Sequence, residues 1–167
     1  MRAVTALSST LLGLIASLGC ASAAPPAQNS TIFGESNPQL AEGAREMQDG
    51  HFAAGIRLTQ EGLSLPTPPS DLAAAYSNLC AGFAALKQWD EALTHCNHAL
   101  QLDRSNWRTY NNRAAVFVGQ GLYDLAIADV ETALGIAPDS ATLKKSLQIV
   151  LDHKRVNRQR GRTAVKA

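Results

Sequence analysis

The sequence has few aromatic residues, few cysteines and no long hydrophobic run. Aromatic residues make up 5% of the 167 positions although 46% are hydrophobic, so a core must rest on Ala, Leu, Val and Ile. Small aliphatic side chains favour closely packed helices. No stretch approaches the roughly 20 apolar residues of a membrane-spanning helix, and we expect a protein without a transmembrane segment.

Catalytic and cofactor-binding motifs are also missing. The sequence has no GxSxG, HExxH, P-loop or glycine-rich dinucleotide pattern. His95 and His98 are close enough on a helix to share a metal, but no third ligand is near them in sequence, and we expect a polar surface instead. We therefore expect no cofactor, no metal and no enzymatic activity. An enzyme that uses Asp90 and Glu91, or the two histidines, as acids and bases is the weaker alternative.

The first residues have the features of an export signal. Arg2 precedes a short apolar run at residues 11–19, and Ala21-Ser22-Ala23 has the small-x-small form of a cleavage site. The pattern predicts a signal peptide over residues 1–23 and a flexible linker over 24–37. The mature protein is then expected to be periplasmic or secreted.

A lipid anchor is the alternative at this end of the chain. Cys20 follows Gly19, as the modified cysteine of a lipoprotein follows a small residue. Ser17 and Leu18 depart from the usual lipobox, which favours cleavage over anchoring at Cys20.

Charge is distributed unevenly. Residues 153–167 contain six basic side chains and no acidic one, whereas residues 24–152 contain 8 basic and 14 acidic side chains. We expect residues 158–167 to form a disordered basic tail. No aromatic residue is interleaved with these charges, so nucleic acid is not an expected partner.

The chain repeats itself after 34 residues, and the repeat decides the architecture. The shift superimposes Tyr76 on Tyr110, Asn78 on Asn112, Phe83 on Phe117, Trp89 on Tyr123, Ala92 on Ala126 and Ala99 on Ala133. A weaker copy lies 37 residues earlier, where Gly43 corresponds to Cys80 and Phe52 to Trp89. The three extra residues fall in the proline-rich stretch at 65–70, which cannot continue a helix.

Each copy has two blocks of apolar residues at helical spacing, so each predicts a pair of helices. The predicted pairs cover about 38–65, 71–104 and 105–138, and a capping helix follows at 141–157, so that the helical domain spans 38–157. Turn residues fit these boundaries: Asn37 can cap the first helix, Ser70 or Asp71 the third, Ser105 the fifth and Ser140 the last. Three repeats with a polar end are about the minimum for a stable stack.

The second copy, AYSNLCAGFAALKQWDEALTHCNHALQLD, and the third, TYNNRAAVFVGQGLYDLAIADVETALGIAP, resemble the tetratricopeptide repeat (TPR). The resemblance implies an all-α fold, a short right-handed superhelical stack of about three helix pairs plus the capping helix. The third copy departs from the pattern at Arg113, where Leu is usual, and we expect that side chain to snorkel or lie near the groove. The first copy departs by carrying Gly55 and Gly62 where Ala is commoner.

The resemblance also implies a function, since stacked pairs form a concave groove lined by the first helix of each pair. We expect a non-catalytic protein–protein interaction scaffold that holds a partner peptide or helix. The predicted groove residues are Ser77, Asn78, Ala81, Arg108, Asn111, Asn112 and Ala115. As the alternative, Asn78 and Asn112 satisfy neighbouring backbone groups.

Chaperone-binding members of the family grip a C-terminal carboxylate through basic and amide side chains. Here Asn78 and Arg108 fit two of those places, but the others hold Leu40, Ala44 and Asn112. We therefore do not expect this ligand. A stack that self-associates end to end, and so forms a homo-oligomer, is the remaining alternative for the partner.

Cys80 and Cys96 fall on the two helices of one pair at nearly equal distances from the turn. In an oxidising compartment they can form a disulfide. Two small buried thiols are the alternative, because the geometry of a disulfide is strict.

Overall fold

We describe the fold from a computed structural model, which describes residues 37 to 164. The predicted signal peptide, lipid anchor at Cys20 and nearly all of the predicted linker lie outside these residues. Within them the chain forms seven helices and no strand, as expected. The helices are α1 (Pro38–Gln48), α2 (Phe52–Leu63), α3 (Pro69–Ala85), α4 (Trp89–Leu102), α5 (Trp107–Gly119), α6 (Tyr123–Ile136) and α7 (Ala141–Ala164).

The helices pack as three antiparallel pairs, α1 with α2, α3 with α4 and α5 with α6, and α7 closes the stack against α6. The first helices of successive pairs also touch, α1 with α3 and α3 with α5. Each pair therefore buries its apolar side against the next, as repeat architectures require. None of the helices among residues 37–164 is both long enough and apolar enough to span a bilayer.

Side-chain hydrogen bonds cap three of the seven helices among residues 37–164. The predicted caps Ser70 and Asp71 lie inside α3, whose N-cap is Pro68. Asn37 accepts a hydrogen bond from the backbone N–H of Leu40 at 3.2 Å, and Ser140 accepts one from Leu143 at 3.3 Å. The fifth helix is capped by Asn106 and not by Ser105, because Ser105 is held in a turn by the carboxylate of Asp103. Asn106 accepts from the N–H of Arg108.

The turns inside the three pairs share one backbone conformation. Gly50 and Gly121 have φ of 86° and 76°, and Lys87 occupies the corresponding place in the middle pair with φ of 60°. Only glycine adopts this left-handed region without a steric penalty. Lys87 therefore adopts the backbone conformation of the other two turns, although a residue with a side chain is disfavoured there.

The end of α7 differs from the prediction. The helix continues to Ala164, so residues 158–164 are helical and not a disordered tail. Arg158, Gln159, Arg160 and Arg162 in these turns are good helix formers, and cations near a helix C-terminus interact favourably with its dipole. Leu143 and Val150 are buried, so packing holds the earlier turns of α7 in place. Extending the helix beyond these turns does not require a new nucleation step.

The first pair crosses at glycines. A Cβ on Gly43 would lie 2.6 Å from the hydroxyl oxygen of Thr59 and 2.9 Å from its backbone nitrogen, and a Cβ on Gly55 would lie 2.8 Å from the carbonyl oxygen of Gly43. Both glycines are buried. The first copy departs from the alanines of the repeat pattern because its two backbones approach too closely for a methyl group.

This crossing leads to a prediction. Gly43→Ala is expected to lower the free energy of unfolding by about 1–3 kcal/mol, because overpacking against backbone atoms outweighs the gain in helix propensity. Gly135→Ala is the matched control, since a Cβ there meets no atom within 4 Å and should raise stability by about 0.5–1 kcal/mol. Urea unfolding of both variants measures the difference, and equal effects of the two substitutions would contradict the close crossing.

Candidate functional site

The first helices of the three pairs form one face of the stack, which we call the groove face and define as the surface of α1, α3 and α5. On α5, Thr109 and Asn112 point towards α3, and Arg113 points towards α6. Arg108, Asn111 and Ala115 recur at spacings of three and four residues on the remaining side. These three residues are therefore the part of the predicted site that the groove face presents.

Ser77 does not belong to an open surface. Its hydroxyl accepts hydrogen bonds from Thr109 Oγ1 at 2.9 Å and from Asn112 Nδ2 at 3.3 Å, and it has no exposed area. The structure corrects the role predicted for Ser77, because its hydroxyl joins α3 to α5. Asn112 also donates to the backbone carbonyl of Ser77 at 3.2 Å. For Asn112, the alternative of satisfying a neighbouring backbone group thus describes the observed contact.

The other predicted groove residues differ in exposure. Asn78 has no exposed area and Ala81 is 8% exposed, whereas Arg108 and Ala115 are partly exposed. The guanidinium of Arg108 lies 4.5 Å from the centre of the Trp107 ring, a cation–π contact that holds the cation beside the groove face.

Asn111 is a polar residue of α5 on the groove face with a buried acceptor atom that lacks a hydrogen-bond donor. Its side chain is buried, with 6% of the residue exposed, and within residues 37–164 its Oδ1 has no hydrogen-bond partner. A buried acceptor without a donor costs about 1–3 kcal/mol. A donor supplied from outside, such as the N–H of a bound peptide backbone, would remove this cost.

The structure corrects the position expected for the Arg113 side chain. It neither snorkels nor lines the groove. Its Nε and Nη2 donate to the two carboxylate oxygens of Asp129 on α6, each at 2.8 Å, and its Nη1 donates to Asn97 on α4 at 2.8 Å. The Asp129 hydrogen bonds raise the pKa of Arg113 above its usual value. The side chains of Arg113 and Asp129 are 22% and 9% exposed, so this is a largely buried ion pair between helices.

A signal for this pair was present in the repeat. The 34-residue shift places Arg113 on Leu79 and Asp129 on His95. Both positions therefore differ between the second and third copies, and in the third copy the two side chains carry opposite charges. Complementary replacement at two positions of one helix pair indicates a contact between them.

The two histidines of α4 contact rings of α3. His98 stacks on Tyr76 with ring centres 3.9 Å apart, and His95 stacks on Phe83 at 5.2 Å. Burial lowers the pKa of His95, the nearby His98 lowers it further, and Glu91 acts in the opposite direction. Across residues 37–164, no three His, Cys, Asp or Glu side chains are grouped so that they could hold a metal ion.

Cys80 and Cys96 are joined in a disulfide between α3 and α4, with their Cα atoms 5.1 Å apart. Neither residue has exposed area. The bridge lies behind the groove face and fixes the two helices of the middle pair.

Comparison with known proteins places this architecture among TPR domains. The first TPR domain of human RPAP3 has a TM-score of 0.64 at 19% identity, covering 72% of this chain and 93% of that one. The Sgt2 TPR domain of Aspergillus fumigatus has a TM-score of 0.62 at 20% identity, covering 80% and 85%. The first TPR domain of Spaghetti (RPAP3) bound to an HSP90 peptide has a TM-score of 0.59 at 22% identity, covering 69% and 89%.

The sequence relatives are much longer proteins. Sperm-associated antigen 1 of Mus musculus is 30% identical over 115 residues, which is 68% of this chain and 12% of the relative. The DnaJ homolog subfamily C member 7 homolog of Dictyostelium discoideum is 27% identical over 108 residues, 64% of this chain and 20% of the relative. No family model matches the chain. The chain therefore has the TPR fold and corresponds to a small part of each of these relatives.

Proposed function

We propose that this TPR-fold chain is a non-catalytic protein-interaction scaffold of the cell envelope, and that it binds an extended peptide or a partner helix on the groove face. The observation that carries the proposal is the unpartnered Oδ1 of Asn111 on a face shared by three stacked helices. Ala115 leaves room beside it for a backbone, and Arg108 supplies a cation at the edge. Solved TPR domains that resemble the chain hold peptides, as in the Spaghetti complex with an HSP90 peptide.

The envelope location rests on the sequence of the first residues and on the cysteines. Arg2, the apolar run at 11–19 and the Ala21-Ser22-Ala23 site support export by a cleaved signal peptide. A disulfide between Cys80 and Cys96 persists in an oxidising compartment such as the periplasm and not in the cytosol. Both features support a periplasmic or secreted protein, and a lipid anchor on Cys20 is the alternative.

The proposed peptide is not the acidic C-terminus of a chaperone. Leu40 and Ala44 stand where a carboxylate clamp needs polar or basic side chains, and both are buried in an apolar cluster with Ala74 and Ala75. Two apolar residues in that place would leave a carboxylate without its hydrogen bonds. The partner is expected to present its backbone to Asn111.

The test uses Ala115→Arg, which fills the groove face with a long charged side chain. The mature protein is crosslinked in envelope extracts, and the partner captured by the wild type is expected to be lost. Ala128→Arg is the matched control, because it makes the same change at an exposed position of α6, on the second helix of its pair. A partner retained by Ala115→Arg at wild-type strength would overturn the groove assignment. Capture of only a second copy of the chain would favour self-association.

A further inference from the structure

A second concave site lies away from the groove face, where the turn between α5 and α6 meets α7. The turn that leads into α6 and the second half of α7 border a shallow, open cleft of about 350 Å³. Leu122, Leu125 and Tyr123 line one wall, and Lys154 and Arg158 line the other. We call this the α6–α7 cleft.

The first wall is apolar and open. Leu122 and Leu125 are 46% and 51% exposed, and they lie three residues apart where they share one face of the helix start. Further along α6, Ala126, Val130 and Ala133 have no exposed area. The two leucines therefore leave apolar surface open in a concave place that is suited to another aliphatic side chain.

The second wall is positively charged. Lys154 is paired with Asp124, which cancels its charge locally, but Arg158 makes no salt bridge within the described part of the chain. Arg162 follows one turn later, and the whole of α7 contains one acidic residue, Asp152. An anion that enters the cleft meets uncompensated guanidinium charge, and a carboxylate can accept two parallel hydrogen bonds from arginine.

We propose that the α6–α7 cleft binds an acidic segment of a partner protein that carries an aliphatic side chain. The aliphatic side chain packs between Leu122 and Leu125, and a carboxylate one or two residues away pairs with Arg158. Charge complementarity selects this occupant. Tyr123 is the single aromatic residue of the cleft lining, which disfavours a nucleic acid because its bases need aromatic surfaces to stack on. Val156 is the single aliphatic residue between Lys154 and Arg162, which is too little for insertion into a lipid surface.

The experiment measures fluorescence anisotropy of a short labelled peptide that alternates Leu and Glu, titrated with the mature protein at low salt. Saturable binding is expected, and Arg158→Glu or Leu125→Ser should weaken it by about tenfold or more, the effect of losing one charge-assisted or buried apolar contact. Matched controls are Lys145→Glu, the same kind of charge change on an exposed part of α7, and Leu102→Ser, the same loss of an exposed leucine on α4. Both should bind the peptide as the wild type does.

Three outcomes would overturn the proposal. The first is the absence of saturable binding, and the second is wild-type affinity in Arg158→Glu. The third is equal binding of a peptide in which Ser replaces every Leu, which would reduce the effect to charge alone. Vesicles of anionic phospholipid form a separate arm, and displacement of the peptide by these vesicles would assign the surface to membranes instead. Ala115→Arg should leave the peptide bound, so failure of the groove assignment and failure of this one can be told apart.

Discussion

Replacing Arg113 with leucine is expected to lower the free energy of unfolding by about 3–5 kcal/mol, although leucine is the usual residue at this position of the repeat. The reason is Asp129, whose side chain is 9% exposed and takes both of its hydrogen bonds from Arg113. Removing one partner of a buried pair leaves the other charge desolvated and alone. The cost arises from the aspartate that remains and not from the arginine that is lost.

The double variant Arg113→Leu/Asp129→Leu separates these two contributions. Replacing both partners with apolar side chains is often neutral or stabilising, so the double variant is expected to recover most of the loss. Asn97 also loses a hydrogen bond but is exposed, so water can replace the donor. Urea unfolding of the wild type, the two single variants and the double variant gives the coupling free energy. A coupling below about 0.5 kcal/mol would show that the pair does not hold α5 to α6.

Reduction of the disulfide is expected to destabilise the protein by about 3 kcal/mol, because the bridge closes a loop of 16 residues and restricts the unfolded chain. For a domain of this size the melting temperature should fall by about 10 °C. Thiol labelling under denaturing conditions should find no reactive cysteine at positions 80 and 96 before reduction and two after it.

The control for this measurement is Cys80→Ala/Cys96→Ala, whose melting temperature should not respond to reductant. Two reactive thiols in protein purified from an oxidising compartment would contradict the bridge. An unchanged melting temperature after complete reduction would instead contradict the loop-closure account of its effect. The covalent bond would then add no measurable stability, and the two buried sulfur atoms would contribute only by packing, which reduction leaves in place.

Much of the fold could be predicted from the repeat. The 34-residue shift and the helical spacing of its apolar residues predicted three helix pairs and a capping helix, and all are present. Periodicity is a reliable guide here because each pair must bury an apolar stripe against its neighbour. The end of α7 was not predicted, because composition cannot distinguish a basic tail from a basic helix that continues out of packed turns.

The candidate site was predicted less well than the fold. Repeat position placed Arg108, Asn111 and Ala115 on the groove face, but it also placed Ser77 there, whose hydroxyl is used between α3 and α5. Position in a repeat gives the direction of a side chain to within one face of a helix. It does not say whether a neighbouring helix covers that side chain.

The sequence by itself determined the helical architecture, the number of pairs and the lack of a recognisable catalytic motif, because these depend on periodic patterns and residue types along the chain. The tertiary structure decided the roles of Arg113, Gly43 and Ser77, and it brought Leu122 and Leu125 opposite Arg158. Each of these roles depends on which atoms from distant parts of the chain lie within a few ångströms. Steric overlap and the pairing of buried charges depend on contacts at that distance, whereas a repeat pattern indicates only the helix face on which a residue lies.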